Sequence, residues 1–379
     1  MNNKKRVLMA MSGGLDSSIA AMMLIEQGYD LVGITMKTWD YAQSGGSKKE
    51  TGCCSLESIN DARQIAVSLG FPHYVLDIRD EFNEYIVKDF IDRYLEGLTP
   101  NPCILCNTHI KWDALLRRAD QLSCDFLATG HYAQIKKHKD RYVISKSKDE
   151  NKDQTYVLWG LSQDCLKRTL FPLGSYTKDY IRQLASKAGF KDIANKKESY
   201  EICFIPDDDY RGFLKRQVKG LEEKVDGGKF VDTKGNVLGK HKGYPFYTIG
   251  QRKGLNIAMG EPMYVKQILP VTNTIVLGKE EELYQKIFTV NSLNCIKYEK
   301  IDREMELSIK IRYKSKAYPG KVWQLDNNRA KIELDEKVKA ITPGQSAVFY
   351  ENDDVVGGGF IDEVEETVGS RQSTVDNFK

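Results

Sequence analysis

The chain has 379 residues, with 56 Lys and Arg against 53 Asp and Glu, 8 Cys and 41% hydrophobic residues. This is the composition of a globular protein, and at roughly 150 residues per domain the length predicts two or three domains with separate cores. A net charge of +3 is too small to indicate a nucleic-acid partner by itself. The basic N-terminus lacks a signal-peptide apolar segment, and no apolar run approaches membrane-spanning length. The sequence therefore predicts a soluble, cytoplasmic protein with no membrane partner.

The first part of the chain alternates strand-like and helix-like segments, which is typical of an α/β domain with a parallel sheet. Strands are expected at 7–11, 31–36, 71–77 and 125–129, and helices at 19–27, 58–69 and 177–188. This pattern predicts a nucleotide-binding domain over residues 1–206.

The residue pattern of the sequence changes after Pro206. Frequent glycines divide residues 207–284 into short segments, which predicts a small β-rich central domain without a helix of useful length. Short alternating runs from residue 285 predict a C-terminal β-barrel over 285–366, and residues 367–379 are expected to form a frayed tail.

A loop suited to phosphate follows the first strand. It reads SerGlyGlyLeuAspSer over residues 12–17, with a helix directly after it. Two glycines allow a tight turn, and the first amides of the helix offer hydrogen-bond donors and partial positive charge to an anion. The loop lacks the GlyLys[Ser/Thr] of a P-loop and the dinucleotide fingerprint. An ordinary turn with a helix cap remains the alternative for such a short segment.

Three of the cysteines lie in polar, proline-bounded segments. Cys103 and Cys106 have a C-x-x-C spacing within ThrProAsnProCysIleLeuCysAsn, and Cys203 lies far downstream in IleCysPhe. In a reducing compartment such cysteines are expected to be catalytic, redox-active or metal-binding. Cys124, Cys165 and Cys295 stand alone in apolar or helical surroundings and are expected to be core residues, and Cys53 and Cys54 are expected to be structural.

These motifs together resemble a known family. The SerGlyGlyLeuAspSer loop resembles the pyrophosphate loop of the ATP pyrophosphatase superfamily, whose members adenylate an oxygen of their substrate. Together with AsnProCysIleLeuCysAsn, AlaThrGlyHisTyrAla, LysAspGlnThrTyrValLeuTrp, IleCysPhe and TyrThrIleGlyGlnArgLysGlyLeu, it resembles the tRNA-specific 2-thiouridylases over nearly the whole chain. The resemblance implies ATP-dependent adenylation of the C2 oxygen of wobble uridine 34 in tRNAs for Lys, Glu and Gln. Sulfur from a cysteine persulfide then replaces that oxygen to give 2-thiouridine.

The resemblance also implies site residues. Cys106 would be the nucleophile and Cys203 the carrier of the persulfide, closing a Cys106–Cys203 disulfide after each transfer. ATP, with Mg²⁺, would contact Ala10, Met11, Ser12, Gly13, Gly14, Leu15, Asp16, Ser17, Met36 and Gly130. The implied tRNA contacts are Asn101, Pro102, Cys103, His131, Asp153, Gln154, Thr155, Arg312, Tyr313 and Gln345. Sulfur-donor relay proteins would be further partners, and DNA would not.

Cys103 departs from the family pattern, in which many members have Asp at this position. A thiol there could be an additional relay or base. It could equally be a ligand, with Cys106 and Cys203, of a [4Fe-4S] cluster that delivers hydrosulfide. Zinc is a third option, although no fourth ligand of matching spacing is present.

Two rival functions also fit parts of the sequence. A small-molecule ligase of the same superfamily would not need the paired cysteine segments. A non-catalytic RNA-binding iron–sulfur protein would leave the phosphate loop unexplained.

Basic residues cluster in two further places. One is a predicted hairpin at 136–152, and the other is a predicted strand at 309–316 that would place Lys310, Arg312, Lys314 and Lys316 on one face. Solvated surface is the ordinary role of such lysines. With the family resemblance they indicate contact with RNA.

Overall fold

A computed structural model describes residues 4–40, 55–194, 202–257 and 260–365. The fold class predicted from the sequence is confirmed, because a parallel-sheet domain is followed by a small β-rich part and a closed barrel. The predicted tail at 367–379 lies outside the described residues, as do Cys53 and Cys54. None of the helices in these described ranges is long and apolar enough to cross a membrane.

The first domain is built on a sheet of five parallel strands. The strands of this region are β1 (Arg6–Ala10), β2 (Asp30–Lys37), β3 (His73–Asp77), β4 (Phe126–Ala128), β5 (Gln134–His138), β6 (Arg141–Ser145) and β7 (Thr169–Leu170). The parallel sheet has the order β3-β2-β1-β4-β7. The strand order therefore reverses between β1 and β4, and in such sheets ligands bind at the carboxyl ends of the strands beside that reversal.

Helices cover the sheet and continue into the connecting segments. They are α1 (Leu15–Glu26), α2 (Leu56–Leu69), α3 (Arg79–Phe82), α4 (Lys88–Leu95), α5 (Pro102–Leu105), α6 (Leu115–Gln121), α7 (Gln163–Lys167), α8 (Lys178–Lys187) and α9 (Lys191–Ala194), with a 3₁₀ turn at Thr155–Val157. A π-helical segment, Asn83–Val87, joins α3 to α4. A second one, Cys106–Ala114, joins α5 to α6, so residues 102–121 form one continuous helix.

Local signals explain why α2 begins and ends where it does. The Ser55 side chain accepts a hydrogen bond from the Ser58 amide at 3.1 Å, which caps the first turn. Gly70 ends the helix in the left-handed region at φ +76°. Between these ends the buried residues recur with helical spacing and pack onto the sheet: Ile59, Ala62, Ile65 and Ala66.

The central part combines two short helices with a small sheet. Its elements are α10 (Tyr210–Gln217), α11 (Leu221–Val225), β8 (Gly228–Val231), β9 (Val237–His241), β10 (Tyr264–Leu269) and β11 (Thr274–Gly278), with 3₁₀ turns at Tyr244–Phe246, Pro270–Thr272 and Glu280–Leu283. The sheet order is β10-β11-β8-β9. The expectation that this region holds no helix of useful length is wrong, because Asp209 caps α10 through the Gly212 amide at 2.9 Å and Phe213 and Leu214 bury one face of it.

The C-terminal part is a closed barrel of six strands. They are β12 (Tyr284–Cys295), β13 (Met305–Lys310), β14 (Tyr318–Gln324), β15 (Ala330–Lys339), β16 (Ser346–Glu351) and β17 (Asp354–Glu365). Their order is β12-β15-β14-β13-β16-β17, and antiparallel pairing of β12 with β17 closes the barrel. Alternate side chains point inward and fill it, among them Phe288, Ile309, Ile332 and Phe349, all fully buried.

The predicted strand at 309–316 is wrong beyond its second residue. β13 ends at Lys310, and the Ser315 amide and hydroxyl both bond to the Arg312 carbonyl, forming a turn. Lys310 lies 5.7 Å from the Tyr313 ring, whereas Lys316 pairs with Glu336 at 3.2 Å. The four cations therefore do not share one strand face.

The predicted basic hairpin forms, and it joins the barrel. β5 and β6 pair antiparallel, and Ser145 of β6 pairs with Asp354 of β17. The Arg141 guanidinium donates to the carbonyls of Cys295 and Ile296, each at 2.9 Å. A strand pair from the first domain thus extends the barrel sheet.

Candidate active site

The phosphate loop lies between β1 and α1, as the sequence predicts. Gly13 has φ +67°, and a Cβ there would collide with the Ser58 carbonyl oxygen of α2. The Ser12 amide donates to the Ser17 hydroxyl at 3.1 Å, which closes the loop on the first turn of the helix. Gly14 is the N-cap of α1 and supplies no side-chain cap, so the first amides of the helix remain directed at the loop opening.

The carboxyl end of β4 meets this loop. A Cβ on Gly130 would lie 2.8 Å from both the Asp16 carbonyl carbon and the Ser17 nitrogen, so only glycine allows this approach. Met36 lies near the carboxyl end of β2, the neighbour of β1 in the sheet. The structure therefore gathers Ala10 to Ser17, Met36 and Gly130 at one edge of the sheet, beside the reversal of strand order.

Two residues that the sequence analysis missed contact Asp16. The Lys178 ammonium lies 2.7 Å from each Asp16 carboxylate oxygen, and the Tyr132 hydroxyl donates to the same carboxylate at 2.9 Å. Lys178 is the first residue of α8, and the sequence around it does not indicate a contact with Asp16. Only the packing of α8 against α1 brings the two helix starts together.

The cysteine segment is ordered by its own cap. The Asn101 side chain accepts a hydrogen bond from the Cys103 amide at 3.2 Å, and the buried Pro102 occupies the first turn of α5. Cys103 is exposed, whereas Cys106 is half-buried. Asn101 and Pro102 therefore start the helix that carries both thiols.

Cys106 and Cys203 pack against the same hydrophobic cluster. Its buried members include Trp39, Phe82, Phe90, Phe204 and Phe213, and Met36 also packs against it. The segment that would contact adenine and the two segments that would carry sulfur thus share one core. Cys124 and Cys165 are buried, as predicted for core residues, whereas Cys295 is half-buried and packs against the barrel core.

Lys111 contacts the imidazole of His131. Its ammonium lies 3.4 Å from His131 Nε2, while His131 Nδ1 lies 2.7 Å from the Thr129 hydroxyl. An ammonium only donates, so Nε2 accepts and the imidazole proton is assigned to Nδ1. Burial, reinforced by Lys111, lowers the pKa of His131 well below its usual value, so this histidine is neutral at neutral pH.

The thiol of Cys103 is affected by the same lysine. Although Cys103 reaches solvent, the surrounding protein atoms desolvate its thiol and raise its pKa, and the charge of Lys111 partly offsets this. Lys111 lies in the segment IleLysTrp, shortly after Cys106. A cation so close to the two cysteines was the signal from which its role near the site could have been predicted.

Three of the predicted tRNA contacts lie at the junction with the barrel. Asp153 accepts hydrogen bonds from the Ser147 amide and the Thr155 hydroxyl, and it is buried together with Thr155. Gln154 accepts from the Tyr132 amide at 2.8 Å. Asp153 and Thr155 therefore lie beneath the protein surface and stabilise it from within.

The barrel residues predicted to touch tRNA are held differently. Arg312 donates to the carbonyls of Lys339 and Ala340, and its burial lowers its pKa. Tyr313 exposes about a third of its surface (36%). Gln345 donates to the Thr99 carbonyl at 2.8 Å, so it ties the barrel to the segment that precedes Cys103.

A metal centre formed by the three cysteines was an alternative from the sequence. Within the described ranges, no group of three His, Cys, Asp or Glu side chains is close enough to hold one metal ion. Cys103, Cys106 and Cys203 all lie in those ranges. In this conformation they do not form the ligand set of a cluster.

Relatives of the chain are known over nearly its whole length. A tRNA-specific 2-thiouridylase MnmA of Cytophaga hutchinsonii is 60% identical over 362 residues, covering 95% of this chain and 98% of the relative. The chain belongs to the tRNA-specific 2-thiouridylase family. Further 2-thiouridylases are 59% identical in Amoebophilus asiaticus, covering 94% of this chain and 95% of the relative, and 55% identical in Salinibacter ruber, covering 96% of each. The family resemblance predicted from the sequence is confirmed.

Three family models match successive parts of this chain. They are described as a tRNA methyl transferase HUP domain at residues 5–207, a tRNA methyl transferase PRC-barrel domain at 211–279 and an aminomethyltransferase beta-barrel domain at 285–361. Their descriptions mention methyl transfer, whereas the full-length relatives are named for thiolation. The relatives decide the family, because each of them spans nearly the whole chain and each model spans one part.

Proposed function

We propose that this chain is an ATP-dependent tRNA-uridine 2-sulfurtransferase that converts wobble uridine 34 of tRNAs for Lys, Glu and Gln to 2-thiouridine. The observation that carries the proposal is the shared cluster against which Met36, Cys106 and Cys203 pack, at the carboxyl edge of the sheet that holds the phosphate loop. One site could then hold ATP and deliver sulfur. Membership of the 2-thiouridylase family supports the same activity.

The residues at the sheet edge fit an ATP molecule. Ser12 to Ser17 offer hydroxyls, amides and a helix N-terminus to its phosphates, and Gly130 leaves room beside them. Met36 would contact the adenine. Asp16 would hold the magnesium ion, which neutralises phosphate charge when bound.

The reaction would proceed in two stages. The C2 oxygen of the uracil attacks the α-phosphorus of ATP and pyrophosphate leaves, which converts a very poor leaving group into AMP. The terminal sulfur of a Cys203 persulfide then adds to C2, and AMP departs with the C2 oxygen.

The Cys106 thiolate completes the transfer. It attacks the Cys203 sulfur, so the sulfur–sulfur bond to the modified base breaks and its electron pair stays on the thiolated base. A Cys106–Cys203 disulfide remains, and a thiol reductant must supply two electrons before the next turnover. A persulfide-carrying donor protein then restores the sulfur on Cys203.

We assign the sulfur to a persulfide on Cys203, as the family resemblance implies for this cysteine. Residues 1–206 would carry the chemistry, and residues 207–284 and 285–366 would hold the tRNA. Asn101 and Cys103 would line the recess for the target base, which must leave the anticodon stack to be modified. His131, Gln154 and Tyr313 would offer the nearby polar and aromatic contacts.

The test uses unmodified tRNA, ATP and an organic persulfide as the sulfur donor, with protein purified without oxygen and a thiol reductant added when more than one turnover is measured. We expect thiolation with equal release of pyrophosphate and AMP, and loss of thiolation in Cys106→Ser and Cys203→Ser. Cys124→Ser is the matched control, because this buried thiol lies outside the site and the nearby Leu122 carbonyl can accept from a serine hydroxyl.

Three results would contradict the proposal. Full activity of Cys203→Ser would exclude the persulfide assignment. About four iron atoms per chain, with activity lost on their removal, would favour the cluster instead. Pyrophosphate release that does not depend on tRNA would indicate a small-molecule ligase.

A further inference from the structure

Lys178 forms a buried ion pair inside the candidate ATP site. Its ammonium is 2.7 Å from both oxygens of Asp16, and its side chain is only 7% exposed, against 33% for Asp16. The Tyr132 hydroxyl holds Asp16 at 2.9 Å, and the Tyr132 ring lies 5.7 Å from the ammonium. A buried ammonium is costly unless it is paired, so this lysine requires an anion.

The backbone of Lys178 is fixed while its side chain reaches across to α1. Thr177 caps α8, and the Lys178 amide donates to the Asp149 carboxylate at 2.9 Å. Asp16 lies in the first turn of α1, directly after the two glycines of the phosphate loop. The ammonium is therefore held beside the loop opening by an element distant in sequence.

The phosphate loop itself contains no cation. Residues 12–17 carry one negative charge, on Asp16, and no Lys or Arg. ATP brings several negative charges to a loop that has only dipoles and hydroxyls to receive them. Lys178 is distant from this loop in sequence but close to it in the fold, and it supplies the positive charge that residues 12–17 lack.

We propose that Lys178 is a phosphate-binding residue of this ATP site, and that its ammonium leaves Asp16 for the ATP phosphates when Asp16 takes magnesium. This inference rests on the proposed function. A carboxylate held by an ammonium through both oxygens has less capacity for a metal ion, so exchange of partners couples magnesium to nucleotide binding. Tyr132 keeps Asp16 in place throughout the exchange.

The test compares Lys178→Met, which keeps the length of the side chain and removes the charge, with the wild type. Binding of MgATP and of adenosine is measured by titration calorimetry, without tRNA. We expect MgATP affinity to fall by about tenfold or more, as for loss of a hydrogen bond between charged groups. Adenosine affinity should stay unchanged, because adenosine has no phosphate.

A second measurement distinguishes the exchange of partners by Lys178 from a purely structural role of the Lys178–Asp16 ion pair. With Asp16 released from Lys178, nucleotide-free Lys178→Met should bind Mg²⁺ more tightly than the wild type does. Lys187→Met is the matched control, since it neutralises an exposed lysine in the last turn of the same helix, and it should change neither affinity.

The outcomes distinguish this inference from the proposed function. If the wild type does not bind MgATP, the ATP-dependent function itself fails. If the wild type binds and Lys178→Met binds MgATP equally well, the phosphate role is wrong. If MgATP and adenosine affinities fall together and the thermal midpoint drops, Lys178 is a structural clamp and the exchange is refuted.

Discussion

His241 lies buried in the central part, with the rings of Phe230 and Tyr247 at 5.0 and 5.6 Å. Its Nδ1 accepts a hydrogen bond from the Gly243 amide at 3.0 Å, so that nitrogen carries no proton in the fold. Burial lowers the pKa of His241 from 6.5 to about 4. The unfolded chain therefore takes up a proton at a higher pH than the folded chain does.

Because of this difference in pKa, His241 makes the folded protein less stable as the pH falls. Above pH 6.5 the histidine is neutral in both states and its contribution is fully present. As pH falls toward 4 the unfolded state alone becomes protonated, and the contribution is lost, by up to about 3 kcal/mol. We expect His241→Asn, whose amide oxygen can still accept from Gly243, to lack this loss. The check is the free energy of unfolding in urea from pH 7 to pH 4; parallel curves for the two proteins would refute the assignment.

Single residues also show where the sequence was insufficient. Ser12 to Ser17, Cys106 and Cys203 were predicted as site residues because their motifs are contiguous and chemically distinctive. Lys178 and Tyr132 were not, since each reaches Asp16 from a different element. Long-range side-chain contacts of this kind leave no local pattern in a single sequence.

At the scale of elements, the phosphate loop is pressed against the start of α2. Gly13 and Gly28 both have positive φ, at +67° and +89°, so alanine would be strained at either position. Only Gly13 has the Ser58 carbonyl where a Cβ would be, whereas nothing lies within 4 Å of that point at Gly28. Alanine variants at Gly13 and Gly28 therefore separate the cost of backbone strain from the cost of the close contact with Ser58.

We expect Gly28→Ala to cost about 1 kcal/mol, the usual strain of a left-handed alanine, and to leave MgATP binding unchanged. Gly13→Ala should cost clearly more and should also weaken MgATP binding, because the loop must move away from α2. Urea unfolding and nucleotide titration of both variants provide the check. Equal losses would mean that the contact with Ser58 does not shape the loop.

Elements were predictable where the local pattern was complete. α2 has a cap, an apolar stripe and a terminal glycine, and the structure confirms it. α10 was missed because it is only eight residues long and includes Gly212. The strand at 309–316 had the right alternation, but Arg312 turns away to bond carbonyls at the end of β15, a contact that the alternation could not reveal.

At the scale of the whole molecule, the first domain and the barrel share a sheet. The composition and strand patterns predicted both parts, but the pairing of Ser145 with Asp354 joins residues 209 positions apart. The bond from Gln345 to the Thr99 carbonyl is similarly remote and steadies the segment before the cysteines. Such pairings follow from the packing of folded domains against each other, so no local sequence pattern indicates them.

Lys297 supports this junction from the barrel side, through Asp354 and Glu351. Its ammonium, with a side chain only 7% exposed, bonds Asp354 at 2.7 Å and Glu351 at 2.6 Å, and Asp354 also accepts from Ser145 of the hairpin. Lys297→Met would leave two carboxylates facing each other without a cation. Removing one partner of a buried ion pair typically costs about 3 kcal/mol or more.

We therefore expect Lys297→Met to lower the free energy of unfolding by about that amount and to separate the unfolding of the barrel from that of the first domain in calorimetry. Lys300→Met is the control, because its pair with Asp302 is exposed on both sides and should contribute little. Adding Asp354→Asn to Lys297→Met should restore part of the loss by removing one unpaired charge. If Lys297→Met proves no more costly than Lys300→Met, the buried triad contributes nothing to coupling the barrel to the first domain.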